Sequence, residues 1–111
     1  MTTKDVIENV GLKALSTFEH RDVDGVFISD MLSDVMAGAK SGNLWITVQT
    51  HKNIVPAANL VDVSAVVITG GKTVPQDTVD LANQHDIAIL STELQTFELV
   101  GKLYSLGLVT S

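Results

Sequence analysis

A complete strand-to-helix unit lies in residues 44–61, which read LWITVQTHKNIVPAANLV. Its first part, Leu44 to Val48, is a nearly continuous apolar run that is typical of a central strand covered on both faces. A polar cluster follows and leads into a helix, for which Asn53 is the predicted N-cap. Pro56 then falls at the third helical position, where its missing N–H costs no hydrogen bond. The segment therefore predicts one strand followed directly by one helix.

Three other apolar runs also end at a short polar cluster: VFIS at Ser29-Asp30, AVVI at Thr69-Gly70-Gly71 and IAIL at Ser91-Thr92. In a parallel sheet with crossover helices, the carboxyl ends of the strands lie along one edge. We therefore expect the polar clusters to converge into a single rim, where α/β domains bind their ligands. The candidate ligand-binding residues of this rim are Asp30, Thr50, His51, Asn53, Thr69, Gly70, Gly71, Ser91 and Thr92.

Apolar residues at three- and four-residue spacing predict helices around these strands. The first helix covers 4–10 with Thr3 as its N-cap, the second covers 31–40 with Asp30 as its N-cap, and the fourth covers 76–84. Thr92-Glu93-Leu94-Gln95 has the form of a capping box and opens the last helix, which runs to Gly107. A short strand is expected over 12–15. The predicted fold is a single α/β domain over 1–111 with a mainly parallel sheet of four to five strands.

The composition of the 111 residues excludes several classes of function. The chain has no cysteine, so it can form neither a disulfide nor a thiolate metal site. A net charge of −6 repels phosphate backbones, so we expect no nucleic-acid partner. The polar amino terminus and the lack of a long apolar stretch predict a cytoplasmic protein without a membrane partner. Hydrophobic residues make up 45% of the chain, a surplus that predicts an apolar patch and a homodimer.

The fragment Gly71-Lys72-Thr73 resembles the end of a phosphate-binding P-loop. The full motif needs a glycine five positions before Gly71, but that position is Val66 inside an apolar strand. Pro75 also follows too soon for a helix that should begin at the lysine. What remains is a choice between two interpretations. In the first, the backbone N–H groups of Gly70 and Gly71 bind a small anion. In the second, the two glycines only allow the chain to turn.

His51 is the candidate acid or base nearest to neutral pH, with Lys52 beside it. A Ser-His-Asp triad of Ser29 or Ser91 with His51 and Asp30 can be written, but the sequence has no nucleophile elbow to support it. The histidines have no metal-ligand spacing, so we expect no metal site and no cofactor.

Four segments carry a resemblance to a known family: 26–37, 44–55, 68–71 and 89–92. Together they resemble a stand-alone DRTGG domain, which is similar to the amino-terminal domain of the HPr kinase/phosphorylase. The resemblance covers the chain from about Val6 to Gly107. Of the motif that names the family, only Thr69-Gly70-Gly71 is present, with Val67-Ile68 in place of Asp-Arg.

The resemblance implies a regulatory or assembly module, and it also favours a homodimer. The leading hypothesis is a non-catalytic module that binds a small anionic metabolite or a nucleotide at the rim. One alternative is a pure protein-interaction module that binds no ligand. The second alternative is a small enzyme that uses His51 and Asp30.

Overall fold

A computed structural model describes residues 1–110. Five strands and five helices follow one another along the chain, and strand-helix alternation begins at the second strand. The elements are α1 (Thr3–Val10), β1 (Lys13–Ala14), β2 (Val26–Ile28), α2 (Leu32–Gly38), β3 (Leu44–Thr47), α3 (Ile54–Val61), β4 (Ala65–Ile68), α4 (Gln76–Gln84), β5 (Ile89–Ser91) and α5 (Thr96–Ser105).

The five strands form one sheet in the order β1-β5-β4-β3-β2. Strands β2 to β5 are parallel, with Leu44 opposite Ala65 and Val66 opposite Ile89. The short strand β1 lies antiparallel to β5 and forms one edge. The predicted class, a single α/β domain with a mainly parallel sheet, is therefore confirmed.

Helices cover both faces of the sheet, and their distribution is uneven. Helices α1 and α5 pack on one face through a cluster that includes Val6, Leu99 and Leu103. Helices α2, α3 and α4 pack on the other face, where the cluster includes Trp45 and Ala58. All four residues of β3 and all four of β4 are buried, as expected for strands covered on both faces. The helix that follows β5 thus leaves the sheet on the opposite face from the helix that follows β4.

The first helix begins one residue earlier than predicted. Its N-cap is Thr2, whose hydroxyl accepts from the N–H of Asp5 at 3.2 Å, while the Asp5 carboxylate accepts from the N–H of Thr2 at 2.9 Å. The backbone N–H of Thr2 and, second, its hydroxyl interact with the Asp5 carboxylate, and both lower the pKa of Asp5. Thr3 is instead buried in the first helical turn.

Of the three other predicted caps, those at Asp30 and Thr92 are wrong, and the one at Asn53 is correct in position. Met31 occupies the N-cap position of α2, and Asp30 makes no capping hydrogen bond there. Asn53 does stand at the N-cap of α3, but its side chain does not cap the helix. The capping box of α5 lies three residues later than predicted and joins Gln95 to Glu98, so Thr92 is not its first member. In the part of the chain described, no helix is both long and apolar enough to cross a bilayer.

Candidate functional site

The strand carboxyl ends lie along one edge of the sheet, but the predicted rim divides into three separate places. Asp30 lies between the ends of β2 and β3. Thr50, His51 and Asn53 lie in the connection from β3 to α3, beside the start of α4. The remaining predicted residues, Thr69, Gly70, Gly71, Ser91 and Thr92, surround the ends of β4 and β5.

At the β2–β3 end the polar groups satisfy one another. One Asp30 carboxylate oxygen accepts from the Thr47 hydroxyl at 2.9 Å and from the N–H of Val48 at 2.9 Å. The Gln49 amide donates to the Asp30 carbonyl at 3.0 Å. Trp45 donates its indole N–H to the Ser29 carbonyl at 2.8 Å. Asp30 therefore ties the exit of β2 to the exit of β3, and this explains its identity better than a helix cap does.

The second place is a shallow groove of about 480 Å³ between α3 and α4, lined by His51, Lys52, Asn53 and Asp77 among others. The ring nitrogen Nδ1 of His51 accepts from the N–H of Asn53 at 3.1 Å. The Thr50 carbonyl accepts from the hydroxyl of buried Thr78 at 2.8 Å. His51 and Asp30 thus hydrogen-bond different partners. Within the described residues 1–110, no hydrogen bond joins their side chains to each other.

At the β4–β5 end the two strand exits are hydrogen-bonded to each other. The N–H of Gly70 donates to the Leu94 carbonyl at 2.8 Å, and the N–H of Gly71 donates to the Thr92 carbonyl at 2.9 Å. The hydroxyls of Thr69 and Thr96 lie 2.8 Å apart and share a hydrogen bond. Of the two interpretations of these glycines, the hydrogen bonds favour a chain turn over an anion site, because the neighbouring loop engages both N–H groups.

Gly71 is nevertheless required by the geometry of this turn. Its φ of +65° is in the left-handed region that favours glycine. The carboxylate of Glu93 also lies against its Cα, in the space that a Cβ would occupy. Because this carboxylate ends a flexible side chain that can move aside, the left-handed φ is the stronger requirement for glycine at this position.

Beside the exits of β4 and β5 lies a cleft with a volume of about 840 Å³. We call it the β4–β5 cleft. Lys72, Thr73 and Gln76 come from the β4 side, Ser91, Thr92, Glu93 and Leu94 from the β5 side, and Gly11, Lys13 and Lys102 close the remaining wall. Lys13 is held there because β1 pairs with β5, which sets Lys13 opposite Ser91.

The β4–β5 cleft is locally basic in an acidic protein. Lys13, Lys72 and Lys102 line it, so three of the seven Lys and Arg residues of the chain face one space, together with a single carboxylate from Glu93. Within residues 1–110 the ion pair that forms is Arg21–Asp62, and it involves none of these lysines. Lys13 and Lys102 were not predicted from the sequence, because contacts distant in sequence bring them to the cleft, Lys13 through β1 and Lys102 through α5.

The position of the cleft follows from the topology. Helix α4 leaves β4 toward one face of the sheet, and α5 leaves β5 toward the other. In open α/β sheets, crevices form where adjacent strands send their helices to opposite faces. Residues 1–110 contain no group of three or more His, Asp or Glu side chains that could hold a metal ion.

Two comparisons with known proteins agree with this architecture. A family model described as "DRTGG domain" matches residues 5–106. One similar solved structure contains the CBS and DRTGG domains of the regulatory region of Clostridium perfringens pyrophosphatase, complexed with its activator, diadenosine tetraphosphate. The TM-score is 0.70 at 17% identity, and the match covers 91% of this chain and 45% of that one. This chain thus spans less than half of that structure. No curated protein sequence matches significantly.

Proposed function

The chain belongs to the DRTGG domain family, and from that premise we propose that it is a non-catalytic regulatory module that binds a small phosphate-bearing metabolite or nucleotide. The binding site is the β4–β5 cleft. The observation that carries this proposal is the set of three lysines, Lys13, Lys72 and Lys102, around one cleft of an acidic chain.

The charges around the cleft favour a compact anion over a polyanionic chain. Three ammonium groups and one carboxylate leave a local excess of positive charge. Lysine binds phosphate as a point charge, without the planar geometry that arginine imposes. A nucleic acid would extend beyond the cleft and meet a surface that carries a net charge of −6 overall, whereas a small ligand would not.

The size of the cleft also suits such a ligand. Its volume of about 840 Å³ lies within the range of roughly 300–1,000 Å³ that is usual for small-molecule sites. Leu15, Val74 and Val79 supply apolar lining beside the lysines, and this combination can accept a base or another apolar group together with a phosphate. The pyrophosphatase region named above binds diadenosine tetraphosphate, and this makes adenine nucleotides the first probes to try.

The test is a thermal-shift screen followed by equilibrium dialysis. The probes are inorganic phosphate, pyrophosphate, AMP, ATP and diadenosine tetraphosphate. A ligand at a hundredfold excess over its dissociation constant stabilises the fold by about 2.7 kcal/mol, so a true ligand raises the Tm by several degrees. We expect at least one phosphate-bearing probe to do so, and Lys72→Gln to weaken its binding at least about tenfold, which corresponds to ~1.4 kcal/mol.

Lys52→Gln is the matched control, because Lys52 lines the α3–α4 groove and not the β4–β5 cleft. The proposal requires that it leave the affinity unchanged. The opposite result, loss of binding in Lys52→Gln alone, would move the site to Thr50, His51 and Asn53. If none of the five probes stabilises the protein, ligand binding is rejected in favour of the pure interaction module.

We also propose that the protein is a homodimer, as its apolar surplus predicts. Large hydrophobic side chains on the surface support this proposal. Phe97 is 88% exposed and Tyr104 is 70% exposed, and both lie on α5. Sedimentation at micromolar concentration tests it, and a monomer would reject it.

A further inference from the structure

Helix α5 has one packed face and one face without a partner within the chain. Leu99 and Leu103 point into the core and are almost fully buried. On the outer side, Phe97 and Tyr104 are 88% and 70% exposed. They stand seven residues apart, which is two helical turns, so they lie one above the other on the same side of the helix.

Gly101 lies between these two aromatic residues, at the middle of the outer face. A Cβ at this position would meet nothing within 4 Å in its own chain. A glycine inside a helix costs about 0.5–1 kcal/mol relative to alanine, so the packing of the monomer gives no reason for it. Glycine on a helix surface does allow a second backbone to approach closely.

The remaining exposed residues of α5 divide into two flanks. At 100° per residue, Gly101 is directly opposite the buried pair Leu99 and Leu103. Phe97 and Tyr104 then fall on one flank of the outer face. Glu98 and Lys102 fall on the other flank, separated from the aromatic residues by Gly101.

We propose that α5 packs antiparallel against α5 of a second copy of this chain, about a two-fold axis that passes beside Gly101. The inference specifies the surface of the proposed homodimer and rests on that homodimer, but it does not depend on the ligand. An isologous interface must be complementary to itself, and the outer face of α5 meets this condition. Phe97 faces the partner subunit's Tyr104, and Tyr104 faces the partner subunit's Phe97.

The charged flank fixes the orientation. In the antiparallel arrangement Glu98 lies within roughly 3 Å, measured along the helix axis, of the level of the partner subunit's Lys102. Opposite charges therefore meet on that flank while the aromatic rings meet on the other. A parallel arrangement would set the aromatic flank against the charged flank, so it lacks both complementary contacts.

The first test is sedimentation equilibrium of the full chain at micromolar concentration. We expect the unaltered protein to be dimeric. Phe97→Asp, at an exposed position that the monomer does not use, should weaken dimerisation at least a hundredfold and give a monomer. Leu60→Asp is the matched control, because Leu60 is a similarly exposed hydrophobic residue on α3, across the sheet. It should leave the dimer unchanged.

A second variant, Gly101→Leu, probes the close approach of the two helices. The open space at this position allows the monomer to keep its fold, which far-UV circular dichroism checks, while the new side chain should separate the helices and abolish the dimer. A monomeric unaltered protein would overturn the homodimer and its surface together. A dimer that survives both Phe97→Asp and Gly101→Leu would overturn the surface alone. Lys102 is left unchanged because it also lines the β4–β5 cleft, and the ligand test uses Lys72, which lies outside α5.

Discussion

The two ends of the parallel sheet edge contain similar residue types but differ in how their polar groups are used. At the β2–β3 end, the Asp30 carboxylate is occupied by the Thr47 hydroxyl and the N–H of Val48. At the β4–β5 end, Lys13 and Lys72 line an open cleft without forming an ion pair in the described chain. The first arrangement stabilises the fold, whereas the second leaves charge available to a ligand.

The difference follows from the direction of the helices. Helices α2 and α3 leave neighbouring strands toward the same face, so the exits of β2 and β3 run side by side and hydrogen-bond each other. Helices α4 and α5 leave toward opposite faces, so their strand exits diverge beyond the contact at Gly70 and Gly71. Polar residues at a strand end thus indicate a binding site only where the chain also opens a crevice.

The largest effect expected on stability is at the closed end. Asp30→Ala removes the acceptor of the Thr47 hydroxyl, which is 1% exposed and has little access to water. Leaving a buried donor unsatisfied costs about 1–3 kcal/mol, and we expect a loss near 2 kcal/mol in urea unfolding. Ligand affinity at the β4–β5 cleft should stay within about twofold, because Asp30 does not line it.

Asp30→Asn is the control for this prediction, because an amide oxygen can still accept both hydrogen bonds. It should lose less than half as much free energy of unfolding as Asp30→Ala. Equal losses in the two variants would mean that the negative charge of Asp30, and not its hydrogen bonds, stabilises this end of the sheet. A large fall in ligand affinity would show that the two ends are coupled.

A smaller effect is expected at the open end, where the turn depends on Gly71. Its φ of +65° costs an ordinary residue about 1–2 kcal/mol, so Gly71→Ala should lower the free energy of unfolding by that amount. Gly71→Asn separates the two possible causes, since asparagine tolerates this conformation but also carries a Cβ. If the backbone conformation dominates, the asparagine variant is the more stable one. Equal losses would instead identify the contact with Glu93 as the cause.

The sequence predicted the strands and helices well because those depend on local patterns. The apolar run at 44–48 indicated a strand buried on both faces, and β3 is buried throughout. The position of Pro56 in the first turn of α3 was also predicted correctly. Both features follow from the periodicity or the conformational limits of a few neighbouring residues.

The site residues were harder to predict because they depend on contacts distant in sequence. Asp30 has the residue type and position of a helix cap, but its partners Thr47 and Val48 lie 17 and 18 residues later. Local capping rules cannot detect that competition. Lys13 reaches the cleft because β1 pairs with β5, and Lys102 reaches it because α5 packs on the sheet through Leu99 and Leu103.

The smallest effect is expected at the opposite edge of the sheet, where Asp62 tests how much an exposed carboxylate contributes. It follows α3 and accepts from the Ser41 hydroxyl at 2.6 Å and from Arg21 at 3.0 Å. These hydrogen bonds, Ser41 first, lower the pKa of Asp62 below 3.8. The carboxylate therefore adds stability above pH 3.8, and this is lost as the pH falls toward the lower pKa of the folded state.

Asp62→Asn isolates this contribution, because asparagine tolerates the left-handed φ of +68° at this position. Arg21 stays anchored, since it also donates to the Val63 carbonyl at 2.9 Å. The Asp62 side chain is 59% exposed, so solvent screening limits the effect to less than about 1 kcal/mol, well below that of Asp30→Ala. Urea unfolding at pH 6 and at pH 3 should show a gap between the two proteins that narrows at low pH. A constant gap would mean that Asp62 acts through its hydrogen bonds alone, in the manner of the closed β2–β3 end, and that its ionisation is unimportant.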